Sequence, residues 1–281
     1  MRAELAILVS AFLTVPQISA AQALTPPGQP TLPRIYLDVN FFGYADPLGE
    51  AKTFENYALK AGEVATFKAT YPEPSRSGLF PAYVGGGFML SRSVGIGVSY
   101  SRMSRESVVD LSATVPDPAF FNALATGTGT TGTALSRKES AVHISLAFVP
   151  VRSSRLELRL MGGPSFFTLK GDMVREIEYE QAFNSLAPED ASAIIGIPNA
   201  IAIHGMSSGE ISGNSFGYHV GADFTYFVHR LVGVAGGLRY GRATVAVETE
   251  PLSNLRQEFL VGSTTLFLGL RVRIGRAPLD K

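Results

Sequence analysis

The sequence predicts an all-β fold: an eight-stranded antiparallel transmembrane β-barrel with short periplasmic turns and long extracellular loops. Three observations predict it. Apolar residues make up 46% of the 281 residues and charged ones only 17%, yet no uninterrupted apolar run reaches the about 18 residues that a membrane helix needs. Large apolar side chains instead recur at every second position over stretches of about 10 to 20 residues, where soluble strands usually run to about 5 or 6. The connections between these stretches alternate between short and long. An alternating strand with one apolar and one polar face suits a barrel wall, and closure removes the edges that such long strands would otherwise expose.

Residues 1–23 read as a secretory signal, with Arg2 at the start, an apolar core from Leu5 to Val15, and an A-x-A cleavage site at Ala21-Gln22-Ala23. The alternative for this segment is a buried first helix. Residues 24–33, with Pro26, Pro27, Pro30 and Pro33, form an extended periplasmic linker that cannot continue a helix. Residues 34–274 form the barrel and 275–281 a short periplasmic tail.

The barrel strands follow in order. Ile35 to Phe41 and Phe80 to Leu90 come first, then Val94 to Ser101, with large apolar residues at even positions and Gly or Ser at odd ones. Val142, Ile144, Leu146 and Phe148 define the next, and Leu156, Leu158 and Leu160 the one after it. Phe216 to Val228, Val232 to Tyr240 and Leu260 to Ile274 complete the set. Turns fall near Ser91–Ser93, Pro150–Ser154 and His229–Arg230, and long loops near 46–77, 113–136 and 171–208, with a shorter one at 249–255. Phe80, Phe166, Tyr218 and Tyr240 form one outward aromatic level, and Phe88, Phe148 and Tyr226 another, as interfacial girdles do. Residues 53–71 have the form of a hairpin turning at Lys60-Ala61-Gly62-Glu63. Glu55, Lys60, Glu63 and Lys68 leave it no apolar face for lipid, so it is assigned to the first extracellular loop, with a ten-stranded barrel as the alternative.

Charge and composition exclude several functions. The 24 basic and 24 acidic side chains leave no surplus to neutralise phosphates, so no nucleic-acid partner is expected. There is no cysteine, hence no disulfide or thiolate metal site. His143, His204, His219 and His229 lack metal-ligand spacing, and no cofactor is expected.

By parity the lumen receives Asp38, Glu157 and Asp223 together with Arg159, Arg239, Arg271 and Arg273. Buried charges must pair, and an eight-stranded barrel is narrow enough for side chains to fill, so an ion-pair network plugging the lumen is expected. Asp38 should approach Arg271 or Arg273 where the ends of the barrel meet, while Asp223 and Arg239 sit diagonally on adjacent strands. The alternative is a selective pore.

In the loops, Asp117-Pro118 starts a predicted short helix over 117–124 that ends at the Gly/Thr run Thr126–Thr133. Residues 182–187 echo part of it. The apolar run Ala193–Ile203 either caps the barrel, dips to the lipid surface, or forms an adhesion, receptor or small-hydrophobe site. A surface ligand is therefore expected at loops 113–136 and 171–208.

Over 34–274 the chain resembles the small outer-membrane β-barrel superfamily, in particular the eight-stranded type represented by OmpA and OmpX. The most specific part is Gly269-Leu270-Arg271-Val272-Arg273-Ile274, which resembles the family's C-terminal insertion signal: Gly269, then apolar Val272 and Ile274 three and five positions later. The resemblance implies a place in the outer membrane of a Gram-negative-type bacterium after export. It also implies contact with outer-membrane lipid and lipopolysaccharide, and recognition by the barrel assembly machinery. No peptidoglycan-binding domain is expected.

His143-x-Ser145 with Glu157 also resembles the His, Ser and Glu arrangement of lipid A deacylase. Alternation aims all three into the lumen, and the turn after Pro150 puts Glu157 on the periplasmic side, away from lipid A. The expected function is therefore noncatalytic, an envelope or surface-interaction role with a plugged lumen. A narrow channel or carrier for small solutes or hydrophobic molecules is the alternative, and a lipid A-type ester hydrolase the remote one.

Overall fold

The first and last strands of the alternating set hydrogen-bond to each other. This computed structural model describes residues 34–47, 51–60, 62–72, 77–78, 82–117, 123–182, 200–248 and 256–274. The expected signal, linker and tail, and Phe80 of the upper girdle, lie outside the described residues. The strands are β1 (Ile35–Pro47), β2 (Lys52–Lys60), β3 (Glu63–Tyr71), β4 (Ser77–Gly78), β5 (Ala82–Met89), β6 (Val94–Ser107) and β7 (Asp110–Pro116). They continue as β8 (Leu124–Thr130), β9 (Leu135–Arg152), β10 (Leu156–Ala182), β11 (Ala200–Phe227), β12 (Val232–Glu248) and β13 (Arg256–Ile274).

One sheet runs β13-β12-β11-β10-β9-β6-β5-β1-β4, and β1 also pairs with β13, which closes it into a ring. Strands β4 and β5 are two pieces lying along the same neighbour, β1, so the ring has eight walls. Asp38 is opposite Arg271 at the closure and Ile35 opposite Ile274.

The alternation decides which face meets lipid. Ile35, Leu37 and Val39 are exposed while Tyr36 and Asp38 between them are buried. Val142, Ile144, Leu146 and Phe148 are exposed while His143, Ser145 and Ala147 are buried. An exposed apolar belt of this kind, continued by aliphatic residues on β6 and β13 and by aromatic ones on β11, is stable only against hydrocarbon. Phe166 packs edge-on against Phe216, their ring centroids 5.2 Å apart, in the outward aromatic level.

Three tight turns join strands at one end of the ring. The Ser91 N–H donates to the Val94 carbonyl, Ser153 to Leu156, and His229 to Val232. Serine side chains reinforce two of them: Ser91 Oγ accepts from Val94 N–H at 3.0 Å and Ser153 Oγ from Leu156 N–H at 2.9 Å.

The opposite end departs from the expected loops. β10 is 27 residues long and β11 28, and they pair in register from Leu156–Tyr226 out to Ala182–Ala200. Much of 171–208 is therefore strand. Residues 52–71 form the hairpin foreseen, turning at Gly62, whose φ of 82° suits glycine. It lies outside the ring in a second sheet, β2-β3-β7-β8. The long stretch 113–136 is likewise largely β7, β8 and the start of β9. The expected end of the predicted helix is corrected here. Leu124 opens β8, and Thr126 to Thr130 continue it instead of ending a helix, because alternating Thr and Gly give a β-branched ladder against β7. Residues 118–122 lie outside the described residues, as do 183–199, which carry most of the echo and of the apolar run. At the end of that run, Ile201 is buried among Ala65, Ala113, Val115 and Ala125, with Ile203 packed against them. These isoleucines face the second sheet.

Candidate functional site: the lumen

In the half of the ring nearer the tight turns, six of the seven lumen charges expected from parity meet in one network. Arg159 Nη2 donates to Asp38 Oδ2 and to Asp223 Oδ2, both at 2.7 Å. Arg271 reaches Asp38 through Nε at 2.6 Å, Glu157 through Nη1 at 2.9 Å and Thr225 Oγ1 at 2.8 Å. Its Nη2 lies 2.9 Å from Asp223 Oδ1. Arg273 donates to Glu157 Oε2 at 2.8 Å. Arg271 and Asp223 are each only 1% exposed, so the network spans the lumen from β1 and β13 to β10 and β11 shielded from bulk solvent.

Arg239 does not join the network. Its nearest partners are aromatic faces, the Tyr83 ring at 3.5 Å and the Phe267 ring at 4.0 Å. Asp223 turns to Arg159 and Arg271 because Arg239 sits opposite Gly221, one step along the face. The place left open is taken by Arg152, whose Nε is 3.5 Å from Glu157 Oε2. Sequence parity misses Arg152 because alternation on β9 slips at Pro150 and Val151, which are both exposed. Tyr36 lies under the Arg159 guanidinium, 4.6 Å from ring centroid to Cζ. Its hydroxyl occupies the space a side chain at Gly97 or Gly87 would need, which is why both facing positions are glycine.

Farther along the lumen, a chain of hydroxyls and imidazoles crosses from β6 to β11. Ser101 Oγ is 2.9 Å from His143 Nε2, His143 Nδ1 is 2.8 Å from Ser165 Oγ, and Ser165 Oγ is 2.8 Å from His219 Nδ1. His219 Nε2 then meets Ser145 Oγ at 2.9 Å. The constellation likened to a deacylase is thus divided. His143 bonds Ser101 and Ser165, Ser145 bonds the other histidine, and the Glu157 carboxylate is held by arginines. A cavity of about 80 Å³ adjoins this chain, lined by His143, His219, Arg239 and Tyr83 among others.

A second charged cluster lies beyond it. Glu139 is buried and accepts from Arg137 Nε at 2.9 Å, Arg105 Nη2 at 3.1 Å and the Gly262 N–H at 3.0 Å. Gly262 aims its amide inward with φ of 109°, which a side chain would strain. Extending the odd-position parity of β9 from His143 back to Glu139 would have found this acid from sequence.

Among the described residues no group of three or more His, Asp or Glu side chains is arranged to hold a metal. The insertion-signal residues lie on β13, with Gly269 closely backed by the Val39 carbonyl and Asn40, and with Ile274 exposed on the lipid face.

No family model matches the chain, and no curated protein is similar to it. Solved structures are similar. The outer membrane protein OprG from Pseudomonas aeruginosa matches at 12% identity and a TM-score of 0.44, covering 87% of this chain and 98% of that one. The outer membrane protease OmpT from Escherichia coli matches at 11% and 0.40, over 88% and 98%. The attachment invasion locus protein Ail of Yersinia pestis, in complex with the heparin analogue sucrose octasulfate, matches at 11% and 0.33, over 86% and 99%.

Proposed function

We propose that the protein is a noncatalytic outer-membrane barrel whose lumen is closed by ion pairs and whose working surface is the β-structure on the extracellular side. The carrying observation is the network joining Asp38, Glu157, Arg159, Asp223, Arg271 and Arg273 across four walls of an eight-stranded ring. A ring of this size is filled by its side chains, and a paired, buried cluster gives a permeating ion no path. The exposed apolar belt supports placement in a membrane, and tight turns at one end with tall strands at the other support the outer membrane. In this reading residues 1–23 direct export, and Gly269, Val272 and Ile274 present the chain to the assembly machinery. Lipid and lipopolysaccharide surround the belt, and envelope stability or surface contact is the role.

Conductance tests it. Purified, refolded protein in a planar bilayer should give no reproducible single-channel steps, and discrete steps in the wild type would refute the closed lumen. The carrier reading draws its own support from the cavity of about 80 Å³ beside His143 and His219. That cavity suits binding within the lumen without passage past the network.

A further inference from the structure

Near the extracellular mouth, the ring and the β2–β3 hairpin enclose another cavity of about 80 Å³, lined by residues that neither the ion-pair network nor the histidine chain uses. Its apolar lining includes Leu135, Leu169 and Phe259. Three cations line it as well: Lys52, Arg105 and Arg137. Two acids share the lining, but Asp172 is occupied by the backbone N–H and hydroxyl of Ser136, at 3.1 and 2.7 Å, and Glu106 is exposed.

One of the cations carries an unmet buried donor, and a second, partly exposed, stands without an ion-pair partner among the described residues. The Arg105 side chain is 6% exposed; its Nη2 serves Glu139, but its buried Nη1 has no hydrogen-bond partner among the described residues. A buried guanidinium N–H left unmet is unusual, and calls for an acceptor. Lys52 Nζ sits 5.0 Å from the Phe259 ring centroid, which Arg137 also approaches, at 5.8 Å. Among the described residues no carboxylate comes within ion-pair distance of Lys52. Burial and the like charge of Arg137 push its pKa down, against a smaller opposing pull from the Glu258 carboxylate.

We propose that this cavity binds the carboxylate head of a single-chain aliphatic acid. Arg105 and Lys52 take the carboxylate, and the first methylenes lie along Leu135, Leu169 and Phe259. A head with two oxygens supplies the missing acceptor, and cation and carboxylate gain charge-assisted bonds. Size argues for one chain. A void of about 150 Å³ accepts benzene, so a cavity of about 80 Å³ takes a head and a few carbons, with the rest of the chain emerging. A multi-chain lipid phosphate is too bulky for it.

The inference is independent of the closed lumen, since binding and conductance are read separately. The test is calorimetric titration of octanoate into the full chain refolded in zwitterionic nanodiscs, with empty nanodiscs subtracted and octanol as the uncharged control. Octanoate should bind saturably at one site and octanol should not. Lys52→Met and the cavity-filling Leu169→Trp should each weaken octanoate about tenfold or more, the loss expected for a charge-assisted bond or a blocked chain. Lys52 stands on β2 outside the ring, so Lys52→Met keeps the barrel intact, which heat-modifiable gel mobility verifies. Equal binding of octanol, absence of saturable octanoate binding, or unchanged affinity in Lys52→Met would each overturn the proposal.

Discussion

At the residue scale the lumen shows how much depends on partners supplied from across the ring. Arg271 touches three acids at once, so removing it strands charge in several directions. Arg271→Met should lower stability by about 3–5 kcal/mol, the cost of unpaired buried charge. Urea unfolding followed by gel mobility measures it, and adding Asp38→Asn should recover part of the loss. A change under 1 kcal/mol in the single variant would mean that water enters the network. The inward direction of these charges was legible because a period of two assigns a face to every residue. Asp38 with Arg271 was foreseen from the closure of the barrel, but the other partners were not, because pairing depends on stagger between strands distant in sequence, such as Asp38 and Arg159, 121 positions apart. Arg152 was hidden by a local slip in alternation, and Arg239 by the competing attraction of two aromatic rings.

At the scale of elements, the ring strands were legible and their extensions were not. Inside the bilayer one face meets lipid and the other the lumen, so alternation is clean. Beyond it, β10 and β11 lose that contrast, and register shifts at Val174/Glu176 and Glu178/Tyr179 break the period. β8 carries so much Thr and Gly that it reads as a breaker. The hairpin β2–β3 is tied to β10 through Tyr71, whose hydroxyl accepts from the Val174 N–H at 2.7 Å. Burial pushes the Tyr71 pKa up to about 12. A free tyrosine ionises near pH 10, so its contribution is fully present below that and is lost as pH rises through about 12. Protease resistance of the second sheet should therefore fall between those values. Tyr71→Phe should flatten this dependence while lowering stability by about 1 kcal/mol through loss of the acceptor. If the variant keeps the same alkaline transition, another group governs it.

For the whole molecule, the wall must satisfy lipid outside and charge inside with the same strands. Leu146 is 61% exposed, between Ile144 and Phe148 on the belt. Leu146→Arg should cost about 2–4 kcal/mol in a bilayer, the penalty for a cation near mid-membrane on the outer face of a barrel. Equilibrium folding into vesicles gives the number, and a cost near zero would place this face away from hydrocarbon. The overall class was legible because composition, spacing and asymmetric connections all pointed to one answer. The second sheet was not, since β3 pairs with β7 across an intervening stretch of the ring.

The long pairing of β10 with β11 also has a mechanical consequence. About 9–11 residues suffice for a strand to cross a bilayer, so more than half of the 27 in β10 extend past it. A pull on the far end of this ribbon, directed along the strands, loads their cross-links in shear, many at once. Peeling would break them one by one. The ribbon is therefore built to resist tension and to yield to sideways prying.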